Sequence, residues 1–134
     1  MNRRSALRTV GGALAVGLSG CLSSGGGDEP RTVRMVGLEF EPADISIAAG
    51  RTVEWVNDSE FGHSVTAYER QIPTGATYWA SGGFETERAA RENMGDGLIE
   101  AGGTYRRTFE TAGEHPYFCV PHEGSGMTGT VSVQ

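Results

Sequence analysis

The sequence contains no lysine, so arginine supplies all 11 of the strongly basic side chains among its 134 residues. Aspartate and glutamate together number 17, which gives a formal net charge of −6 at pH 7. We expect Arg3, Arg4 and Arg8 to be removed with a leader, and without them 17 acidic groups face 8 basic ones, or −9. Nucleic-acid binding depends on clustered basic side chains that neutralise phosphates. This charge balance argues against DNA or RNA as a partner.

The missing lysine also bears on the environment in which the protein works. An acidic surface whose only strong bases are arginines is typical of proteins from high-salt organisms, because carboxylates stay hydrated where salt screens their mutual repulsion. Genomic base composition is the alternative explanation of the same bias. We expect a halophilic source.

The N-terminal region lacks an apolar run long enough to cross a bilayer. Val10–Leu18 is apolar but spans only nine residues and is rich in glycine, whereas a membrane helix needs roughly 20 apolar residues. A positive start followed by a short apolar run is typical of a signal peptide. Arg3 and Arg4 resemble a twin-arginine export signal, although Ala6 stands where that pattern has a bulky apolar residue. We expect residues 1–20 to be a signal peptide of this type.

Cysteine is nearly absent, with only Cys21 and Cys119 in the whole chain. Leu18 to Cys21 resembles a lipobox, in which the cysteine becomes the lipid-bearing N-terminus after cleavage. A disulfide between the two cysteines is the alternative, and it is disfavoured because Cys21 adjoins the flexible stretch SSGGGDEP, which gives a disulfide nothing to fasten. We expect residues 21–30 to be a lipid-anchored flexible linker that holds the protein at the outer face of the cell membrane.

Strand-like alternation begins at Arg31 and continues to the C-terminus. Apolar side chains share one face in runs around Val33, Ile45 and Val53, and each run ends in glycine, proline or asparagine. Further short runs of the same kind are His63–Tyr68, Tyr105–Phe109, Tyr117–Cys119 and Thr130–Val133. With 21 glycines to supply turns, the pattern predicts one all-β domain over residues 31–134, a two-sheet sandwich of about seven or eight short strands.

Residues 74–97 interrupt the strand pattern. A weak helical pattern runs from about Thr86 to Asn93, and Gly95 is expected to end it because glycine commonly follows a helix. We predict a short helical excursion on the surface, with Met94 exposed. Met35, by contrast, is expected to fill the core.

Histidine is scarce too, and its three copies limit where a metal could bind. Cys119, His122 and Met127 are close enough in sequence for one loop to surround an ion, but three ligands seldom suffice. His115 lies four residues before Cys119 on the same extended strand, roughly 13 Å away at the usual rise per residue, so it cannot share the ion. His63 follows the turn NDSEFGH and can approach from a neighbouring strand as the fourth ligand.

The chemistry of these four donors indicates which metal they would hold. Two imidazoles, a thiolate and a thioether suit copper, because soft sulfur ligands select Cu(I) and a weak axial methionine accompanies His-His-Cys electron-transfer sites. Zinc is the rival metal. Structural zinc uses cysteine, histidine or carboxylate ligands and very rarely a thioether, so Met127 argues against it.

Two other functional classes remain open on these residues. Cys119 could be the nucleophile of a hydrolase or redox enzyme with His122 or His63 as its base, but no motif supplies an orienting group or an oxyanion site. The donor set could also serve copper storage, delivery or sensing on the same fold. Copper carriers of that kind bind the ion through exposed soft ligands, whereas these ligands are expected to be closed in.

Two stretches carry a family resemblance that covers residues 31–134. Tyr117-Phe118-Cys119-Val120-Pro121-His122 followed by Met127, with GLEFEPADISIAAGRTVEWVND ahead of His63, resembles the plastocyanin-like small blue (type 1) copper proteins of the cupredoxin superfamily. Within them the likeness is greatest to the halocyanin group.

The resemblance implies a Greek-key β-sandwich that carries one electron by cycling one copper ion between Cu(II) and Cu(I). It implies a monomer that works between membrane-associated redox partners. The implied copper ligands are His63, Cys119, His122 and Met127. The implied docking patch around the exposed edge of His122 consists of Leu38, Phe61 and Pro121.

The chain departs from that family in two places. Ser64 stands after the first histidine where plastocyanins have asparagine, which puts in question the hydrogen bond that tunes the thiolate. The segment between His63 and Cys119 is also long for the family, so the resemblance does not define the partner-facing surface on that side.

Overall fold

The computed structural model describes residues 29–134. The predicted signal peptide, Cys21 and residues 22–28 of the predicted linker lie outside the described residues. Within the described part of the chain, no helix has the length and apolarity that a bilayer span requires.

Within residues 29–134, eight strands form two four-stranded sheets. The strands are β1 (Arg31–Val36), β2 (Glu39–Glu41), β3 (Asp44–Ile47), β4 (Arg51–Asn57), β5 (Thr66–Ala67), β6 (Thr104–Phe109), β7 (Gly113–Phe118) and β8 (Thr128–Val133). The first sheet has the order β3-β8-β7-β5 and the second β2-β1-β4-β6. β3–β8 and β1–β4 are parallel pairs, and the other neighbours are antiparallel. The predicted all-β sandwich is confirmed.

The alternating residues supply the core between the two sheets. Val33 and Met35 on β1 and Val53 on β4 are fully buried, as the two-residue period predicts for one face of a strand. Trp55 on β4 is also fully buried, and its ring lies 5.3 Å from that of Tyr117 on β7 in an edge-to-face contact. Because β4 and β7 belong to different sheets, this contact joins the two layers at the centre of the core.

Two predicted strands differ from the observed ones near the first histidine and the cysteine. Of the predicted run His63–Tyr68, only β5 joins a sheet, and His63 instead forms an isolated bridge with Ile99. The predicted strand Tyr117–Cys119 ends at Phe118, because β7 covers Gly113–Phe118 and Cys119 already begins the following loop. Both differences have the same cause. The Ser64 N–H donates to the Cys119 sulfur and the Cys119 N–H donates to the Met127 carbonyl, so neither amide bonds to a strand.

Proline in a strand is expected at an edge or a bulge, because it has no N–H to donate. Pro116 nevertheless lies inside β7, paired with Thr130 of β8. Its carbonyl accepts from the Tyr68 N–H at 3.1 Å, so the missing donor would face the Tyr68 carbonyl. That carbonyl already accepts from the N–H groups of Gln71 and Ile72, at 2.9 and 3.2 Å. Pro116 is tolerated because β5 has ended and a turn uses the acceptor.

The predicted helical excursion is present as helix α1 (Glu87–Glu92). Thr86 caps its start, with Oγ1 accepting from the Ala89 N–H at 3.0 Å. The prediction that Gly95 ends the helix was wrong: the cap is Asn93, whose backbone N–H and side-chain amide both donate to the Ala89 carbonyl. Gly95 lies in a following 3₁₀ helix, Met94–Gly97.

Gly129 on β8 allows a close approach that the core depends on. A Cβ atom there would lie 2.6 Å from both the Tyr117 hydroxyl oxygen and the Ala43 carbonyl oxygen. Tyr117 is fully buried, so its ring has little room to move away.

We predict that Gly129→Ala lowers the free energy of unfolding by about 1–3 kcal/mol, the usual cost of overpacking a core. Gly95→Ala is the matched control, because a Cβ atom there meets nothing within 4 Å. Urea unfolding of the metal-free protein measures both variants. Equal stability of the two would contradict this account of Gly129.

Candidate metal centre

Three of the four predicted ligands meet at one end of the sandwich. Nδ1 of His63 lies 3.2 Å from Nδ1 of His122, and Sγ of Cys119 lies 3.6 Å from the first nitrogen and 3.4 Å from the second. His63 and Cys119 are 56 residues apart in sequence, so the fold itself creates this triangle. The structure therefore brings these side chains together as the spacing and donor types predicted.

The triangle has the size that a metal ion requires. A point equally distant from the three atoms lies about 2.0 Å from each of them, close to the roughly 2.0–2.3 Å that imidazole nitrogen and thiolate sulfur keep to a metal such as zinc. Two nitrogen lone pairs and a sulfur facing one another repel unless a proton or cation lies between them. The donor set therefore fits a single cation, and its softness fits copper.

His63 is held in place by the turn that precedes it. Its N–H donates to the Ile99 carbonyl at 3.2 Å, and the Ile99 N–H donates back to the His63 carbonyl at 2.6 Å. Asn57, which is almost fully buried, donates through Nδ2 to the carbonyls of Phe61 and Ile99 at 2.7 and 2.9 Å. Asn57 begins the NDSEFGH turn, and its role in fixing the histidine was missed from the sequence.

The His63 ring favours the neutral state with Nδ1 free to bind a metal. Burial lowers the pKa of His63, and the neighbouring His122 lowers it further, while the Gly37 carbonyl opposes both. Nε2 is buried and makes no hydrogen bond to the described residues, whereas Nδ1 faces the other two donor atoms.

Cys119 is a free and fully buried thiol. Burial raises the pKa of the Cys119 thiol, because the thiolate loses its hydration, and hydrogen bonds from Ser64 and His122 oppose this effect. A bound cation reverses the balance, because a coordinating thiol is deprotonated outright. A fully buried sulfur is also poorly placed to attack a substrate, which disfavours the nucleophile interpretation.

Ser64 makes the hydrogen bond to the Cys119 thiol that was in question because plastocyanins have asparagine at this position. Its backbone N–H donates to Sγ of Cys119 at 3.3 Å. Its hydroxyl accepts from the Val120 N–H at 2.8 Å, which ties the segment carrying His63 to the loop carrying Cys119. A serine therefore suffices for both contacts.

Met127 closes the loop that starts at Cys119. Its carbonyl accepts from the Cys119 N–H at 3.1 Å and its N–H donates to the His122 carbonyl at 3.3 Å. The chain between them forms a 3₁₀ segment, Val120–Ser125, and reverses at Gly126, whose φ of 87° favours glycine. Met127 is fully buried. Its backbone is thus bonded to two of the other predicted ligands.

His115 lies apart from this group, as predicted. It is buried on β7, its Nε2 is 2.9 Å from the Thr111 carbonyl oxygen, and its ring packs edge-on against Phe109 at 5.0 Å. Its role is structural.

The predicted docking residues are exposed apolar side chains, and Phe61 and Pro121 give an apolar surface beside the half-buried His122. Phe61 is 55% exposed and Leu38 is 38% exposed, and Pro121 is exposed as well. The Phe61 ring lies 6.4 Å from the His122 ring. Leu98, also 38% exposed, borders the same surface, because a Cβ at Gly62 would be 3.5 Å from its Cδ1. Leu98 was missed because it follows the 74–97 excursion and has no signal of its own.

A second group of contacts beside the loop was also missed. The carboxylate of Glu123, next to His122, accepts hydrogen bonds from the Arg91 guanidinium at 2.8 and 3.2 Å and from the Tyr68 hydroxyl at 2.7 Å. Arg91 holds the pKa of Glu123 below its usual range, because its hydrogen bonds favour the charged carboxylate. Tyr68 and Arg91 are 55 and 32 residues from Glu123, so no local sequence pattern indicates these contacts.

Comparison with known proteins points to the same chemistry. The sequence profile of copper binding proteins of the plastocyanin/azurin family matches residues 31–134. Plastocyanin of Scenedesmus fuscus is 41% identical over 97 residues, covering 72% of this chain and 88% of that protein. The chloroplastic plastocyanin of Physcomitrium patens is 37% identical over 132 residues, covering 96% and 71%.

A solved structure shows the same architecture. Amicyanin from Paracoccus versutus superposes with a TM-score of 0.58 at 27% identity, covering 79% of this chain and 82% of that one. The profile match, the plastocyanin relatives and the shared fold agree with the converging donors. The chain therefore belongs to the plastocyanin/azurin family of copper-binding proteins, whose members are electron carriers and not enzymes.

Proposed function

We propose that the protein carries single electrons at a mononuclear type 1 copper site between membrane-associated redox partners. The proposed ligands are His63, Cys119, His122 and Met127. The observation that carries the assignment is the triangle of donor atoms with sides of 3.2, 3.4 and 3.6 Å. Family membership supports copper as the ion and electron transfer as the task.

Rigidity of the ligands is what the chain contributes to the reaction. When bound, copper would supply a one-electron couple between Cu(II) and Cu(I), held by the two imidazoles, the Cys119 thiolate and the Met127 thioether. His63 is fixed by its double hydrogen bond to Ile99, and Cys119 by its bonds to Ser64 and Met127. Donors that barely move between oxidation states leave little reorganisation to oppose electron transfer.

Burial of the site separates this proposal from copper storage or delivery. His63, Cys119 and Met127 are all fully buried, which excludes water and hinders exchange of the ion with a carrier. His122 is the one half-buried ligand, and we propose that Phe61, Leu38 and Pro121 surround its exposed edge. This small apolar surface suits the brief, weak docking of redox partners, so we place the electron port there.

The sequence features outside the described residues support a location for this activity. We propose that residues 1–20 direct export by the twin-arginine route and that Cys21 carries a lipid which anchors residues 31–134 to the outer face of the membrane through the linker. The lysine-free acidic composition supports a halophilic source and placement in the halocyanin group. The redox partners would then be membrane-bound donors and acceptors.

We predict that Cys119→Ser abolishes the intense blue colour of the oxidised, copper-loaded protein, because the thiolate that bonds covalently to copper is lost. Visible absorption measures the change. His115→Gln, a substitution at the histidine outside the site, should retain the colour. A Cys119→Ser protein that stays intensely blue would falsify the assignment.

We predict that Met127→Leu keeps the blue colour and raises the reduction potential, because the axial thioether stabilises Cu(II) more than Cu(I). Voltammetry on the copper-loaded protein measures the potential. Met35→Leu is the matched control, since Met35 is equally buried in the core and belongs to β1 and not to the ligand loop. A lowered potential in Met127→Leu, or an equal rise in both variants, would argue against axial ligation.

We predict that Cys21→Ser moves the exported protein from the membrane fraction to the soluble fraction, because serine cannot take the lipid. Fractionation and intact mass in a host that lipidates exported proteins measure the change. Ser23→Ala, two residues beyond the lipobox, should leave the protein on the membrane. Membrane retention of Cys21→Ser would refute the anchor.

A further inference from the structure

Five residues form a connected cluster against the copper loop, which we call the Glu123 brace: Tyr68, Glu87, Arg91, Phe118 and Glu123. Two of them flank proposed ligands in the chain. Phe118 directly precedes Cys119, and Glu123 directly follows His122. The brace therefore contacts the loop on both sides of its first two ligands.

Arg91 is the centre of the brace. Its Nη1 and Nη2 donate to the two carboxylate oxygens of Glu123 at 2.8 and 3.2 Å, and its Nε donates to Glu87 at 2.8 Å. Its guanidinium carbon lies 4.3 Å from the centre of the Phe118 ring. One planar group thus satisfies two carboxylates and covers an aromatic face, a combination that lysine cannot reproduce.

Tyr68 contacts the same two residues, Phe118 and Glu123, from the other side. Its hydroxyl donates to Glu123 at 2.7 Å, and its ring stacks on Phe118 with centroids 4.4 Å apart. Phe118 is consequently enclosed between the Tyr68 ring and the Arg91 guanidinium, and it is fully buried. Neither Phe118 nor Glu123 can shift without breaking contacts to both partners.

The helix that carries Arg91 is itself attached to the end of β5. The Glu69 N–H donates to the Glu87 carboxylate at 2.9 Å, and the Glu87 N–H donates back to the Glu69 carboxylate at 3.0 Å. The brace thus connects the 74–97 excursion, through α1, to the copper loop.

The loop has few other side-chain attachments at this point. Within the part of the chain that the structure describes, residues 121–125 make side-chain hydrogen bonds beyond their own loop only through Glu123 and through the contact of His122 with His63. Arg91 and Glu123 are partly shielded, at 38% and 32% side-chain exposure. Such a pair is stronger than an exposed one such as Arg88–Glu92, at 86% and 60%.

We propose that Arg91 and Tyr68 are positioning residues for the copper site, which act through Glu123 and Phe118 to hold His122 in its binding geometry before the ion arrives. The consequence of this role for copper, which is slow release of the ion, rests on the proposed function. Its structural part, an ordered loop in the metal-free protein, does not depend on copper.

The test compares Arg91→Met, which keeps the aliphatic stem, with Arg88→Met on the same helix as the matched control. We expect Arg91→Met to release copper to a chelator about tenfold faster than the native protein, the usual scale for losing a partner of a metal ligand. Arg88→Met should stay within about twofold of the native rate, because surface ion pairs of its kind contribute little. Both rates are measured at a temperature at which every variant is fully folded.

Two further variants separate positioning from loss of stability. Glu123→Gln keeps the shape but loses the charge, and the double variant Arg91→Met/Glu123→Gln should release copper no faster than Arg91→Met alone if the two residues act together. Arg91→Lys should release copper at a rate between that of the native protein and that of Arg91→Met. If Arg91→Met does not fold, Glu123→Gln and Arg91→Lys carry the same comparison.

NMR relaxation measures the backbone motion of residues 120–126 in the metal-free protein, so this test does not depend on copper. We expect greater loop motion in Arg91→Met than in Arg88→Met. Identical loop motion and identical release rates in these two variants would overturn the proposal. Failure of the native protein to take up copper would instead refute the proposed function, and the relaxation measurement would still decide whether the brace orders the loop.

Discussion

The whole site depends on holding two imidazole nitrogens and a thiol sulfur within 3.2–3.6 Å of one another in a place closed to water. These electron-rich atoms repel one another unless a proton or a cation lies between them, and burial raises the pKa of Cys119 and lowers that of His63. The scaffold must therefore stabilise an arrangement that the donors themselves disfavour. Edge-to-face packing of Trp55 on Tyr117 joins the two sheets and supplies part of that stability.

The donors come from two segments, and hydrogen bonds between those segments set their separation. Ser64 is the main link, because its N–H contacts the sulfur of Cys119 and its hydroxyl accepts from Val120. Met127 returns the loop to its starting point through the Cys119 N–H. The Glu123 brace adds a third attachment from outside the sandwich core. Together they explain how a loop of mostly exposed residues can present a ligand in a fixed position.

Much of the fold and the ligand set could be predicted, and the misses share a cause. Alternation placed Val33 and Val53 on buried faces, and Met35 was expected in the core. The distance along an extended strand excluded His115, which left His63 as the fourth ligand. The strand predicted over His63–Tyr68 failed because Ser64 bonds to Cys119 and only Thr66–Ala67 reach the sheet. Gly95 was chosen to end the helix, but the side chain of Asn93 could reach the Ala89 carbonyl first. In each case a bond specific to one neighbour overrode a general preference.

By itself, the sequence determined the strand pattern, the four donor types and the tight spacing of three of them, because residue identity and short-range spacing are local properties of the chain. Only the tertiary structure decided that Ser64 suffices beside the thiol, that Leu98 lies beside Gly62, and that Arg91 and Tyr68 meet Glu123. These contacts join residues 32 to 55 positions apart, or depend on how a loop folds back. No periodicity encodes them, because they form only once the two sheets and the 74–97 excursion have packed.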